Sequence, residues 1–278
     1  MGVSVSKENK VKARRGEPIE ALGLTFYPIT MSHYEDFLSL KNILTLRVTT
    51  LPVQYVSMSY LSALWAVDID CYLGTGKALG VFERVMKLLY LTLRLEYSKE
   101  VLDKTVYCDS KSPRELVRIE VKQNNETISI IPREFASKIR PIIAEQNGLK
   151  LPNESYNPQL VQAEHEMAED QQGELNFDID ALISSVAYQS KIPEREIYDW
   201  TVLQFEHRRE AIDRDKNYML FRQAELSGMV KFPKGNPFPS WCFDKTNTLS
   251  PVLRRADDLK GNFAALGDIT QIVGANSN

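Results

Sequence analysis

The chain has 278 residues, 43% of them hydrophobic and 26% charged, which gives apolar material for one large domain or two modest ones. A formal net charge of −3 excludes the overall surplus of Lys and Arg that phosphate neutralisation requires, so no general nucleic-acid affinity is expected, and only a local basic patch stays open. Cys71, Cys108 and Cys242 are odd in number and far apart, which excludes a disulfide framework and a CxxC zinc or redox motif and predicts free thiols in a reducing compartment.

The N-terminal stretch is polar and basic where a signal peptide would be apolar, so a cytoplasmic start and a flexible basic tail over residues 1–18 are expected. "MGVSVS" meets the loose pattern for N-myristoylation, and a basic polar tail accounts for the same residues more simply. "LGLTFYPI", Leu22 to Ile29, alternates as a short strand ending near Pro28, and Ser32 with Glu35 has the spacing of a capping box. Tyr34, Phe37, Leu38, Leu44 and Val48 then follow helical spacing. Pro52 opens a second helical stretch, which carries Tyr60, Leu61, Leu64, Trp65 and Ile69 and is closed by "LGTG".

A third helix carries Phe82, Val85, Met86, Leu89 and Leu93 on one side, with Leu88, Tyr90 and Leu91 behind. Such a helix is central to its domain or covered by a partner. Asp68 and Asp70 interrupt the apolar stretch from Tyr60 to Leu73, and Glu83, Arg84, Lys87 and Arg94 the one from Leu79 to Leu95, so neither is expected to span a membrane.

Between Arg114 and Ile131 the period changes to two. Val117, Ile119 and Val121 on one arm and Ile128 and Ile130 on the other predict a β-hairpin turning at Asn124-Asn125 with one face buried. "IPREFASKIRPIIAEQNG" reads as a helix that starts at Pro132, kinks at Pro141 and stops at Gly148. Six acidic residues with no Lys or Arg among them then mark residues 164–178 as a linker between an α+β domain at 19–163 and a helical domain at 179–230. "DALISSVAY" and "PEREIYDW" suggest two short helices, and Thr201 with Gln204 caps a longer one ending at Gly228. Residues 231–278, where Pro, Gly and Asn recur, are expected to form an extended C-terminal arm. The fold class expected is α+β, mainly helical, with a small antiparallel β-hairpin or sheet, a helical C-terminal region and the arm.

Motifs for chemistry are sparse. "GTGK" at Gly74 to Lys77 lacks the Gly and the Ser/Thr of a phosphate loop, since Cys71 and Ala78 stand at those positions, and it reads as a helix-ending turn. His33, His165 and His207 are too scattered for a zinc site, and "HEMAE" lacks the second His of a metalloprotease helix. No nucleophile elbow occurs. No catalytic residue, metal or cofactor is therefore assigned.

The charged middle of the 202–228 helix pairs Arg209 with Asp213 and Glu210 with Arg214 at i,i+4, as a solvated face does, with a partner-binding face as the next reading. Val202, Phe205, Ile212 and Met219 mark its inner stripe. Trp200, Phe205, Tyr218, Phe221, Phe238 and Trp241 are the candidates for a partner surface, with core packing the plainer reading of the first four.

Three stretches, "ISIIPREFASKIRPIIAEQNGLKLPNESYNP" (128–158), "IPEREIYDWTVLQFEHRREAIDRDKNYMLFRQAELSGMV" (192–230) and "NPFPSW" (236–241), together resemble bacteriophage tail-morphogenesis proteins of the tail assembly chaperone kind. The resemblance implies a non-catalytic protein of the host bacterial cytoplasm that binds the tape measure protein and recruits tail tube subunits. Self-association is a further expectation. A structural virion component, such as a connector, tail or baseplate subunit, is the alternative, and an enzyme of unknown class is the third reading.

Overall fold

The computed structural model describes residues 5–152 and 178–228. The acidic linker, apart from Asp178, and the C-terminal arm lie outside those residues. The architecture is mainly helical α+β, with a two-stranded and a three-stranded antiparallel sheet packed among helices.

The N-terminal segment expected as a tail instead holds α1 (Lys7–Arg15). The Ser6 hydroxyl accepts from the Asn9 amide at 3.1 Å, and Gly16 closes the helix at φ 74°. Ala13 is wholly buried, so a helix with few apolar residues still seats one small side chain in the core. A Cβ at Gly16 would lie 3.0 Å from the Gln204 side chain, so glycine here serves both the left-handed turn and the close approach.

β1 (Ile19–Ala21) and β2 (Leu24–Phe26) form a tight hairpin, with Ile19 opposite Phe26. The single strand expected from Leu22 is thereby corrected: Leu22 and Gly23, at φ 55° and 78°, form the turn. Side-chain amides hold the ribbon in place. Gln123 exchanges hydrogen bonds with both main-chain groups of Thr25, Gln146 donates to the Phe26 carbonyl, and Asn147 accepts from the Ile29 amide.

The capping box expected at Ser32 does not form. α2 (Tyr34–Thr45) starts behind a single 3-10 turn, Met31–His33, and the Ser32 hydroxyl bonds that of Thr30 at 2.7 Å. The main chain here is committed elsewhere, because Met31 and Ser32 donate to the carbonyls of Trp200 and Tyr198. At the other end of α2, Arg140 donates to the Leu44 and Leu46 carbonyls, and the Tyr60 hydroxyl to that of Ile43. A cation and a phenol thus satisfy carbonyls that a helix end leaves open.

After two 3-10 turns, Val48–Thr50 and Val53–Tyr55, α3 (Tyr60–Thr75) begins later than Pro52 suggested and ends at Gly76 in the left-handed region. α4 (Val81–Leu93) follows, and its start is capped from α3, where Asp68 accepts from the amides of Val81 and Phe82 at 3.2 and 2.8 Å. α4 is central, as its apolar pattern predicts, with Leu88 and Tyr90 buried as well as Phe82, Val85 and Met86.

A short helix, α5 (Lys99–Thr105), and β3 (Val106–Asp109) precede the predicted hairpin β4 (Ser112–Gln123) and β5 (Glu126–Ile130). Asn124 and Asn125 take φ 52° and 66° in its turn. The expected inward face holds at Ile119 and Val121 and fails at Val117, which is 45% exposed. The cause is a register shift: Tyr107 faces Arg118 while Cys108 faces Leu116, and the bulge turns Leu116 inward instead. The next helical stretch is α6 (Pro132–Glu134), a π-helical turn (Phe135–Ile139) and α7 (Arg140–Gln146). The wide turn lies just before Pro141, which has no amide to offer an α-helical ladder.

α8 (Ile179–Ser190), capped by the Asp178 carboxylate, α9 (Glu194–Ile197) and α10 (Val202–Leu226) complete the described chain. They do not form the separate helical domain expected at 179–230. Ile183, Val186, Ile197, Val202 and Phe205 belong to the same hydrophobic cluster as Leu24, Phe37 and Leu89, and Val202 donates to the Ile29 carbonyl beside a Thr30–Thr201 bridge. An acidic run separates segments in sequence without separating the cores they enter.

Candidate functional site

Among the described residues, the outer length of α10 and a cleft between α2 and α4 are two of the places open to other molecules. The base of α10 is fixed first. Thr201 and Gln204 exchange both bonds of the predicted capping box, and Val202, Leu203 and Phe205 are buried. The Phe205 ring lies 6.2 Å from that of Tyr34, whose hydroxyl donates to Glu206 at 3.2 Å. Burial, with the Glu206 carboxylate adding to it, pushes the Tyr34 phenol up to about 12. Arg209 bonds Glu206 at 2.7 Å and reaches Asp213 at 3.7 Å, so these groups form a charge ladder along the helix.

Beyond this base the helix outruns the core. Its 25 residues correspond to about 37 Å at 1.5 Å per residue. The stripe Phe205, Ile212, Met219 and Leu226, spaced by seven, passes from wholly buried through half-buried to 50% and 73% exposed, and Leu220 is exposed beside it. Arg208, Asp215, Lys216 and Arg222 flank that stripe, and Arg222 is bonded to Glu225 at 2.8 Å.

Of the residues proposed as a partner surface, Trp200 is half-buried under the Arg208 guanidinium, 5.6 Å from its ring, and Tyr218 and Phe221 are half-buried on α10. Phe205 is core, packed on Tyr34, and presents nothing to a partner. Phe238 and Trp241 lie outside the described residues. Sequence reading had placed Met219 on an inner stripe and passed over Leu220 and Leu226. The seven-residue spacing of Phe205, Ile212, Met219 and Leu226 was the available signal.

The cleft, of about 680 Å³, has a floor of Leu40, Leu91 and Leu95 and a rim that includes His33, Asp36, Arg84 and Lys87. Lys87 bonds Glu83 at 2.9 Å and stands 5.5 Å over the Tyr97 ring. The Tyr97 hydroxyl is buried without a hydrogen bond of standard geometry, and burial, with the nearby Glu83 carboxylate adding to it, raises its pKa. His33 and Asp36 stand 3.8 Å apart across the opposite rim.

The other buried polar groups face the main chain. Burial raises the pKa of Asp68 against the opposing bonds from backbone amides at the start of α4, and Arg140, Gln123 and Asn147 bond carbonyls and amides as described. "GTGK" is the turn its sequence suggests, with the Thr75 hydroxyl on the Cys71 carbonyl. Among the described residues no group of three His, Cys, Asp or Glu could hold a metal ion, and no helix is long and apolar enough to cross a membrane. No protein-family model, curated protein or solved structure matches this chain.

Proposed function

We propose that this chain is a non-catalytic assembly protein that works by binding other proteins through the outer length of α10. The observation that carries the reading is the apolar stripe of α10, which leaves the core at Ile212 and stays exposed at Met219 and Leu226. Helices bind grooves through such i, i+7 anchors, and large exposed apolar side chains in one stripe mark interaction surfaces. The engagement of Asp68, Arg140, Gln123 and Asn147 with the main chain supports a structural rather than a chemical use of the buried polar groups.

The resemblance to tail assembly chaperones gives the reading its finer form. The partners are then the tape measure protein and tail tube subunits, met in the cytoplasm of an infected bacterium. The test is a pull-down of the full chain from an infected-cell lysate, beside mass spectrometry of purified particles. Tape measure or tube protein should be recovered with the wild-type chain and lost with Met219→Glu/Leu226→Glu, and the chain should be absent from particles. A fixed copy number in particles would replace the chaperone reading with that of a structural neck, tail or baseplate subunit. Equal recovery with the double variant would remove α10 as the binding surface.

A further inference from the structure

The cleft between α2 and α4 is independent of the α10 surface and has a different chemistry. α4 contributes Arg84, Lys87 and Leu91 at spacings of three and four, which is one helical face, and α2 contributes Leu40 to the floor. Its volume lies in the range of small-molecule sites, about 300–1,000 Å³. A second hollow of about 370 Å³ lies beside it and shares His33, Leu91 and Leu95 with its lining.

The charges on the rim are unequal in their commitments. Glu83 neutralises Lys87 at 2.9 Å, and Asp36 faces His33 at 3.8 Å. The Arg84 side chain makes no ion pair or hydrogen bond among the described residues, although Arg84 lines the same cleft as the three leucines. A guanidinium left unpaired beside apolar surface suits a planar carboxylate, which it can bind through two parallel N–H donors. Leu40, Leu91 and Leu95 suit the aliphatic chain behind such a head group.

We propose that this cleft binds an aliphatic monocarboxylate, with the head group on Arg84 and the chain along Leu91 and Leu95. Lys87 contributes less to the head group than Arg84, because Glu83 already holds it. The inference concerns a small ligand and stands whether or not α10 binds a protein.

The test titrates the full chain with sodium octanoate and follows both heat and the methyl signals of Leu40, Leu91 and Leu95, with octanol as the uncharged comparison. Saturable binding with shifts at those methyls is expected. Hexanoate should bind roughly fourfold more weakly for each methylene removed. Arg84→Gln should weaken octanoate by roughly tenfold or more, as loss of a charge-assisted pair does, and Lys87→Gln by less. The Arg84 side chain is exposed and unbonded, so its variant keeps the wild-type melting temperature and serves as a clean comparison. The inference is overturned by absence of saturable binding, by octanol binding as tightly as octanoate, or by an Arg84→Gln affinity equal to that of the wild type.

Discussion

α4 and α10 are both helices of this protein, and they spend their residues in opposite ways. α4 has 13 residues and buries eight of them, while α10 has 25 and buries three, all within its first four. A helix enclosed by neighbours can be apolar nearly all round, as α4 is at Phe82, Leu88 and Tyr90. α10 is enclosed only at its base, so its apolar stripe divides into a half that stabilises the fold and a half that does nothing for the described core. The division falls near Ile212, where the stripe is half-buried.

The largest expected effect is at the enclosed half. Phe205→Ala removes a wholly buried ring packed on Tyr34 and should cost about 3–5 kcal/mol in urea unfolding. A loss below about 1 kcal/mol would mean that the base of α10 is not part of the core, and the contrast between the two halves would fail.

The two helix starts give a smaller and graded contrast. α4 is capped from another helix by buried Asp68, which accepts two amides, whereas α10 is capped by its own Thr201. Asp68→Ala leaves buried amides unpaired and should cost about 2 kcal/mol, against about 1 kcal/mol for Thr201→Ala. Equal losses in parallel denaturation curves would show that the remote cap is no more than a local one.

Much of this was legible in the sequence, for physical reasons that differ by region. The α4 pattern, the Asn124-Asn125 turn and the Thr201–Gln204 box are local signals, and each is seen in the structure. Ser32 carried a local signal as well, but the main-chain bonds of residues 31–32 to residues 198–200 overrode it. Val117 followed the alternation until a bulge against β3 reversed it, and β3 itself lacked the period to be seen. Of the candidate surface, Phe205 shows the limit most plainly. Its place in the stripe was readable, but where along α10 the core ends depends on what Tyr34 and Ile29 bring from far away in sequence.

The junction that anchors α10 also predicts a pH dependence. Tyr34 is held near 12 in the folded chain against an ordinary value near 10, so the fold favours the neutral phenol. Its contribution is fully present below pH 10 and is lost as pH rises from 10 through 12. The wild-type chain should therefore lose stability over that window, and Tyr34→Phe should reduce the slope of that loss in unfolding curves taken from pH 9 to 12. An unchanged slope would place the alkaline sensitivity on other tyrosines raised by burial, of which Tyr60 and Tyr97 are the most strongly shifted.

The smallest effect on stability is expected at the outer half of α10, and it is the one that gives the comparison its functional meaning. Met219 and Leu226 are 50% and 73% exposed, so Met219→Glu and Leu226→Glu remove little buried area, and each should change unfolding free energy by no more than about 0.5 kcal/mol. Neither position breaks the charge ladder near the base, which involves Glu206, Arg209 and Asp213. If the stripe exists for a partner, the double variant should fold as the wild type does and fail in recovery of that partner. If the variant instead unfolds by several kcal/mol, the outer stripe is covered within the chain itself. α10 would then be a second enclosed helix like α4, and the difference between them would be one of length alone.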